Sequence, residues 1–228
     1  MYKLLYNHAD FLVVSKSTGV GFHSSSESDG LCSVIKKNEN IFSLYPVHRL
    51  DKLTSGLMLF AKSKKAARDL SNLFQQKEIE KYYISISNKK PKKRQGLISG
   101  DMQKSRRGSW KLLRTKLNPA KTFFFSKAYG NGLRINILKP LTGKTHQIRV
   151  ALKSIGAPVL GDTLYSRKES AYYDRGYLHA YVLRFSYMDE QHTFVDDPCE
   201  GLLFLDDEFC KTLNEFKSPW KLNWPIIK

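Results

Sequence analysis

Two hydrophobic periods run through the chain. Phe11 to Ser15 and Leu57 to Ala61 are short continuous apolar runs, the first closing at Lys16-Ser17-Thr18-Gly19 and the second opening after Ser55-Gly56, and both predict buried strands. Tyr82 to Ile86 and Thr122 to Ser126 predict strands too, while Leu133, Ile135 and Ile137 alternate with Arg134 and Asn136 as a half-buried strand does. The period changes over Ser63 to Gln76. There Ala66, Ala67, Leu70, Leu73 and Phe74 share one face and Lys64, Lys65, Arg68 and Asp69 the other, an amphipathic helix with Ser63 as its N-cap. Thr145 to Ile155 sets Ile148, Ala151, Leu152 and Ile155 at i, i+3, i+4 and i+7, with Thr145 near the N-cap and Gly156 at the stop. This second helix enters from the loop Thr142-Gly143-Lys144. Leu178 to Tyr187 returns to strand-like content, and Asn88 to Arg107, with Pro91, Gly96, Gly100 and little periodicity, predicts an exposed hairpin or loop. No regular βαβ alternation appears, so one α+β domain over residues 1–228, with a basic insertion at about 88–121, is the simplest organisation.

Composition narrows the class. A chain of 228 residues that is 41% hydrophobic and 12% aromatic can bury one sizeable core, which excludes disorder as the main state. Only the serine run Ser24 to Ser26 is low in complexity. No stretch approaches the roughly 18 apolar residues of a membrane span. Asn7, His8 and Asp10 interrupt the start before an export-type apolar region develops, so no signal peptide, no membrane and a cytoplasmic setting are expected. Cys32, Cys199 and Cys210 form no C-x-x-C pair, and the histidines have no zinc spacing, so neither a disulfide framework nor a metal is expected. Two nucleotide-binding look-alikes fail on inspection. Gly143-Lys144-Thr145 has Leu138 where a phosphate-binding loop needs glycine, and Gly19-Val20-Gly21 has Ser24 where the dinucleotide fingerprint needs one. No cofactor is expected.

Charge changes the picture more. Thirty-eight Lys and Arg against 21 Asp and Glu leave a net +17, which points to a polyanionic partner, nucleic acid before membrane. The charge is uneven: residues 81–121 hold thirteen bases and one acid, Asp101, whereas Phe185 to Cys210 holds eight acids and no Lys or Arg.

The densest candidate chemistry is Pro46 to Leu59, where charged residues stand directly ahead of a buried strand. In extended backbone Arg49 and Asp51 share a face and Leu50 turns away. Local pattern leaves open whether that pair is a surface ion pair or a working site.

His48-Arg49-Leu50-Asp51-Lys52-Leu53-Thr54-Ser55-Gly56 resembles the H-R-L-D-x-x-T-S-G motif of the RluA-type pseudouridine synthases. Lys81-Tyr82-Tyr83 is similar to that family's K-x-Y strand, and Gly143 to Val150 to its G-R-T-H-Q-I-R-V motif, with Lys144 for Arg. Asp10 to Lys16 and Leu178-His179-Ala180 resemble its opening and late strands. Ser17 stands where the family usually has proline, and Ala151 where it usually has histidine.

The resemblance implies a mixed, largely antiparallel sheet flanked by helices, and an isomerase that breaks the bond between ribose C1′ and uracil N1, rotates the base and rejoins it through C5. It implies Asp51 as the catalytic carboxylate. A carboxylate in a dry site needs a cation to stay ionised, and Arg149 is the candidate, with Ile148 packing beneath it or against the base. Tyr83 matches the aromatic position that holds uracil by its face. A uridine in folded RNA must leave its stack, and Arg49 is suited to fill the gap, helped by His48. Lys92, Lys93, Arg106 and Arg107 would grip the RNA backbone. With about forty-seven residues ahead of His48, no S4-like module is expected there, and a monomer that recognises a stem-loop of rRNA or tRNA follows. Two rivals remain at this level: an RNA-binding protein of the same fold without activity, and a nucleoside-cleaving enzyme.

Overall fold

The computed structural model describes residues 1–21, 30–166 and 170–225, which leaves the serine run at 24–26 and His23 outside the described residues. In chain order the elements begin with β1 (Tyr2–Asn7), β2 (Phe11–Lys16), α1 (Leu31–Asn38), β3 (Tyr45–Pro46), β4 (Ser55–Ala61) and α2 (Lys64–Gln76). They continue with β5 (Glu80–Ser87), β6 (Gln95–Gly100), β7 (Met102–Lys104), β8 (Trp110–Leu112), β9 (Ala120–Gly130) and β10 (Leu133–Pro140). Then come α3 (Gln147–Ser154), β11 (Leu178–Tyr187), β12 (Glu190–Val195) and α4 (Asp207–Asn214). The fold is α+β, and its strand pairing is mixed: β4 and β11 run parallel while every other pairing below is antiparallel.

The chain forms two compact units. The first, Met1–Lys81 with His179–Pro198, orders its strands β1-β2-β4-β11, with β12 on β11 and β3 on β4. Phe11 to Val14 and Leu57 to Ala61 are its buried heart, as their unbroken apolar runs require of strands covered on both faces. Ala66 and Leu70 of α2 are fully buried, and Ser63 Oγ accepts the Ala66 N–H at 3.1 Å, the N-cap that the sequence predicts. Ser17, which replaces the family's proline, donates its N–H to Met1 O at 3.0 Å, a bond that proline cannot make.

The second unit, Tyr82–Leu178 with Cys199–Lys228, orders its strands β5-β10-β9-β6. Its core holds Ile84, Ile86, Ile135, Ile137, Phe123, Phe124 and the apolar face of α3. The basic stretch, expected as an exposed hairpin or loop, holds both a hairpin and a strand of the sheet. Gln95–Gly100 pairs along β9 as an edge strand, and β7 and β8 make a separate hairpin. Gly100 serves close packing here: a Cβ on it would fall 2.1 Å from Leu113 O. The start of α3 also differs. Its N-cap is His146 in the left-handed region (φ 57°), and no side chain caps it, so Thr145 does not serve as predicted.

Among the described residues no helix is long and apolar enough to cross a membrane, and no cluster of three His, Cys, Asp or Glu side chains could hold a metal ion.

Candidate active site

In the first unit the segment between β3 and β4 is a short irregular stretch closed by a turn. Leu50, 5% exposed, anchors it inward, while Arg49 is exposed and Asp51 half-buried. The turn is tied at several points. Asp51 O accepts the Thr54 N–H at 3.0 Å, Lys52 O accepts the Gly19 N–H at 2.9 Å, and Leu53 O accepts the Thr18 hydroxyl at 2.9 Å. Exposed Arg49 and half-buried Asp51 are therefore carried on a turn whose backbone polar groups are engaged, a rigid base for both side chains.

The residues after the turn explain the rest of the motif. Ser55 Oγ lies 2.8 Å from His179 Nδ1, and His179 Nε2 lies 2.7 Å from Asp196 O. A carbonyl only accepts, so Nε2 carries the proton and Nδ1 accepts from the serine hydroxyl. Ser15 donates to the Asp196 carboxylate and completes a buried chain of polar groups. Gly56 pairs with Ala180 across the parallel strands, at φ +103°, and a Cβ there would sit 2.3 Å from Ala180 O. Only glycine fits. The Ser55-Gly56 pair and the His179-Ala180 pair are thus two sides of one junction, and it begins four residues past Asp51.

His48 has a structural duty. Its Nε2 accepts the Leu59 N–H at 2.9 Å beside the short β3–β4 pairing, and its ring packs on Phe74 with centroids 4.8 Å apart. Burial, with the Lys81 cation second, pushes the imidazole down to about 3, so the ring is neutral at physiological pH. Any help that His48 gives Arg49 therefore comes from a neutral ring.

In the second unit Tyr82 and Tyr83 take opposite sides of β5. Tyr82 is fully buried, with Lys139 Nζ 5.3 Å above its ring, whereas Tyr83 is half-buried opposite Leu138 of β10. At the start of α3 the buried Gln147 uses every polar group it has. Its oxygen accepts from the Thr142 hydroxyl (2.7 Å) and the Lys144 N–H (3.0 Å), and its NH2 donates to Lys121 O and Thr122 Oγ1 (3.0 Å each). The loop ahead of the helix is therefore fixed to β9.

Arg149 is 5% exposed and paired with a carboxylate that the sequence reading did not name. Its Nε donates to Asp162 Oδ2 at 2.7 Å and its Nη2 to Oδ1 at 2.9 Å. Asp162 is fully buried and also accepts the Leu164 and Tyr165 N–H groups. The guanidinium lies over the Tyr165 ring at 5.0 Å, and the Tyr165 hydroxyl lies 3.0 Å from His146 Nδ1. Fork, carboxylate and ring fix the orientation of Arg149 before any substrate arrives. Ile148 beside it is 8% exposed. The one signal that could have found Asp162 is general: an arginine buried on an apolar helix needs an acid. Lys92, Lys93, Arg106 and Arg107 are all exposed, the last two on the turn of the β7–β8 hairpin, where Ser109 bonds back to Arg106 O.

Residues 10–154 match the family model described as RNA pseudouridylate synthase, and the chain belongs to that family, whose members are isomerases that turn uridine into pseudouridine in RNA. It is similar to an RNA pseudouridine synthase of Haemophilus influenzae, 46% identical over 89% of this chain and 90% of the relative. It is 31% identical to the ribosomal large subunit pseudouridine synthase C of Rickettsia bellii over 78% of this chain, spanning 61% of that protein. These relatives make it RluA-type. The fold is similar to that of human RNA pseudouridylate synthase domain containing 1, with a TM-score of 0.74 over 87% of this chain and 84% of that one.

Proposed function

We propose that the protein isomerises specific uridines in structured RNA, with Asp51 as the reacting carboxylate. The observation that carries this reading is the turn at 51–54. It carries the half-buried Asp51 on backbone tied to Gly19 and Thr18 and followed by the Ser55-His179 junction, and a reacting carboxylate needs such a rigid base to meet a sugar or a base at fixed distance. The reaction breaks the C1′–N1 bond, turns the uracil and forms a C1′–C5 bond, and the C5 proton leaves. A carboxylate supplies the nucleophile or stabilises the cationic sugar carbon without metal or redox chemistry.

In this reading Arg149, held in place by Asp162, is the catalytic cation of the second unit, and Tyr83 with Ile148 supports the uracil. Arg49 fills the stack that the uridine vacates. Lys92, Lys93, Arg106 and Arg107 bind phosphates. Relatives named for the large ribosomal subunit favour rRNA over tRNA as the target. In the same reading the protein acts as a monomer.

The test is a transcriptome-wide pseudouridine map from cells with and without the gene, followed by reaction of the purified protein with the RNA that loses a site. A position that vanishes with the gene and reappears on incubation supports the proposal. An unchanged map refutes it, and release of free uracil would select the nucleoside-cleaving rival.

A further inference from the structure

One acid stands among thirteen bases over residues 81–121, and the structure shows what it does. The Asp101 carboxylate accepts the Leu117 N–H at 2.9 Å and the Asn118 N–H at 2.8 Å, while the Asp101 N–H donates to Thr115 O at 2.9 Å and Asp101 O accepts the Leu113 N–H at 2.8 Å. A hydrogen bond from Thr115, then the Leu117 N–H, holds the carboxyl below the usual carboxylate range, so the clamp is ionised at neutral pH. The loop between β8 and β9 is closed around this one side chain, and Pro119 stiffens its exit.

What the clamp displays is a leucine. Leu117 is 94% exposed, against 37% for Leu97 on the edge strand of the same unit. Scattered exposed leucines are ordinary. This one sits on a tied loop with the exposed cations Arg114 and Lys116 on the same short segment. Asn118 Oδ1 accepts from Lys144 Nζ at 3.1 Å, which joins the loop to the segment that leads into α3 and Arg149. Lys144, the departure from the family's arginine, thereby has a use. An apolar tip beside cations fits a base step next to a phosphate strand: the cations take the backbone and the side chain enters the stack.

Resting on the RNA reading above, we infer that Leu117 is a wedge that inserts into a base step of the bound RNA, held at a fixed height by the Asp101 clamp. The ligand class is helical or stem-loop RNA. An unstacked strand offers no step to open.

The experiment measures binding of the full chain to a fluorescein-labelled hairpin RNA with a uridine-bearing loop, and to oligouridine as the unstructured comparison. Leu117→Ala weakens hairpin binding about ten-fold, the size expected when a leucine no longer buries its side chain, and leaves oligouridine binding unchanged. Leu117→Met restores hairpin binding. A 2-aminopurine in the stem brightens on binding wild-type protein and stays dim with Leu117→Ala. At 94% exposure the alanine carries no folding penalty, so a loss is a loss of contact. Hairpin binding equal to wild type, or equal losses on both RNAs, would overturn the wedge. So would self-association of the RNA-free protein that Leu117→Asp abolishes, since the leucine would then seat a second copy. Failure of the wild-type protein to bind either RNA would remove the RNA reading itself.

Discussion

Replacing Asp162 by asparagine exchanges one oxygen for an NH2 group in the pair that orients Arg149. Hydrogen bonds from Arg149 Nη2 and from the Leu164 and Tyr165 N–H groups end on Oδ1, and an asparagine oxygen can keep those. The bond from Arg149 Nε to Oδ2 at 2.7 Å becomes donor against donor. The guanidinium, 5% exposed, then lies buried beside a neutral partner, a situation that costs about 3–5 kcal/mol. At roughly 2–4 °C per kcal/mol for a chain of this size, Asp162→Asn should lower Tm by about 6–20 °C. Circular dichroism melts give the shift. Single-turnover pseudouridine formation below the lowered melting range should fall as well, because the fork that fixes Arg149 is gone. A double variant, Arg149→Met with Asp162→Leu, should cost less than the sum of its single changes, since no buried charge remains. An Asp162→Asn protein that melts within about 2 °C of wild type would show that the pair contributes little to holding the helix, and the argument for a preset Arg149 would fall with it.

Other outcomes follow from the same geometry. Gly56→Ala drives a Cβ to within 2.3 Å of Ala180 O at φ +103°, so the β4–β11 junction should open and soluble yield and Tm drop sharply; a wild-type melt would refute the close approach. His48 is held down to about 3 against an ordinary value near 6.5, so the unfolded chain binds the extra proton first: stability is complete above about pH 6.5 and is lost as pH falls toward 3, by up to about 1.4 kcal/mol per pH unit. Urea titrations at several pH values should show a flatter profile for His48→Gln, and an identical profile would contradict the neutral, buried imidazole. Lys92→Ala with Lys93→Ala should reduce the slope of log affinity against log salt by about two and leave kcat unaltered, as phosphate contacts do; a changed kcat with an unchanged slope would oppose that role.

The chain spelled out much of this fold because its strands are of the kinds that sequence marks well. Phe11 to Ser15 and Leu57 to Ala61 are apolar throughout, and Ser63 caps α2 in the place its side chain suggests. What stayed hidden depends on partners far along the chain or on backbone shape. Asp162 carries no periodicity and is defined only by Arg149, thirteen residues earlier. His146 at φ 57° starts α3 where a threonine looked the better cap, because Gln147, by bonding Thr142, Lys144, Lys121 and Thr122, fixes the entry loop by another route. The glycines of the basic stretch read as breakers, yet Gly100 lies in a paired strand where the Leu113 backbone leaves no space for a side chain. The motif residues themselves were legible as residue types. The reasons for Ser55, Gly56 and His179 were not, since the three are separated in sequence and become one junction only in the parallel pairing of β4 with β11.

Release of tritium from RNA labelled at uridine C5 tests the central claim most directly, because it reports the proton lost when the new carbon–carbon bond forms. The wild-type protein should release tritium from its target RNA without producing free uracil, and Asp51→Asn should release none while it binds the same RNA with undiminished affinity. Substantial release by Asp51→Asn would contradict the assignment of the carboxylate.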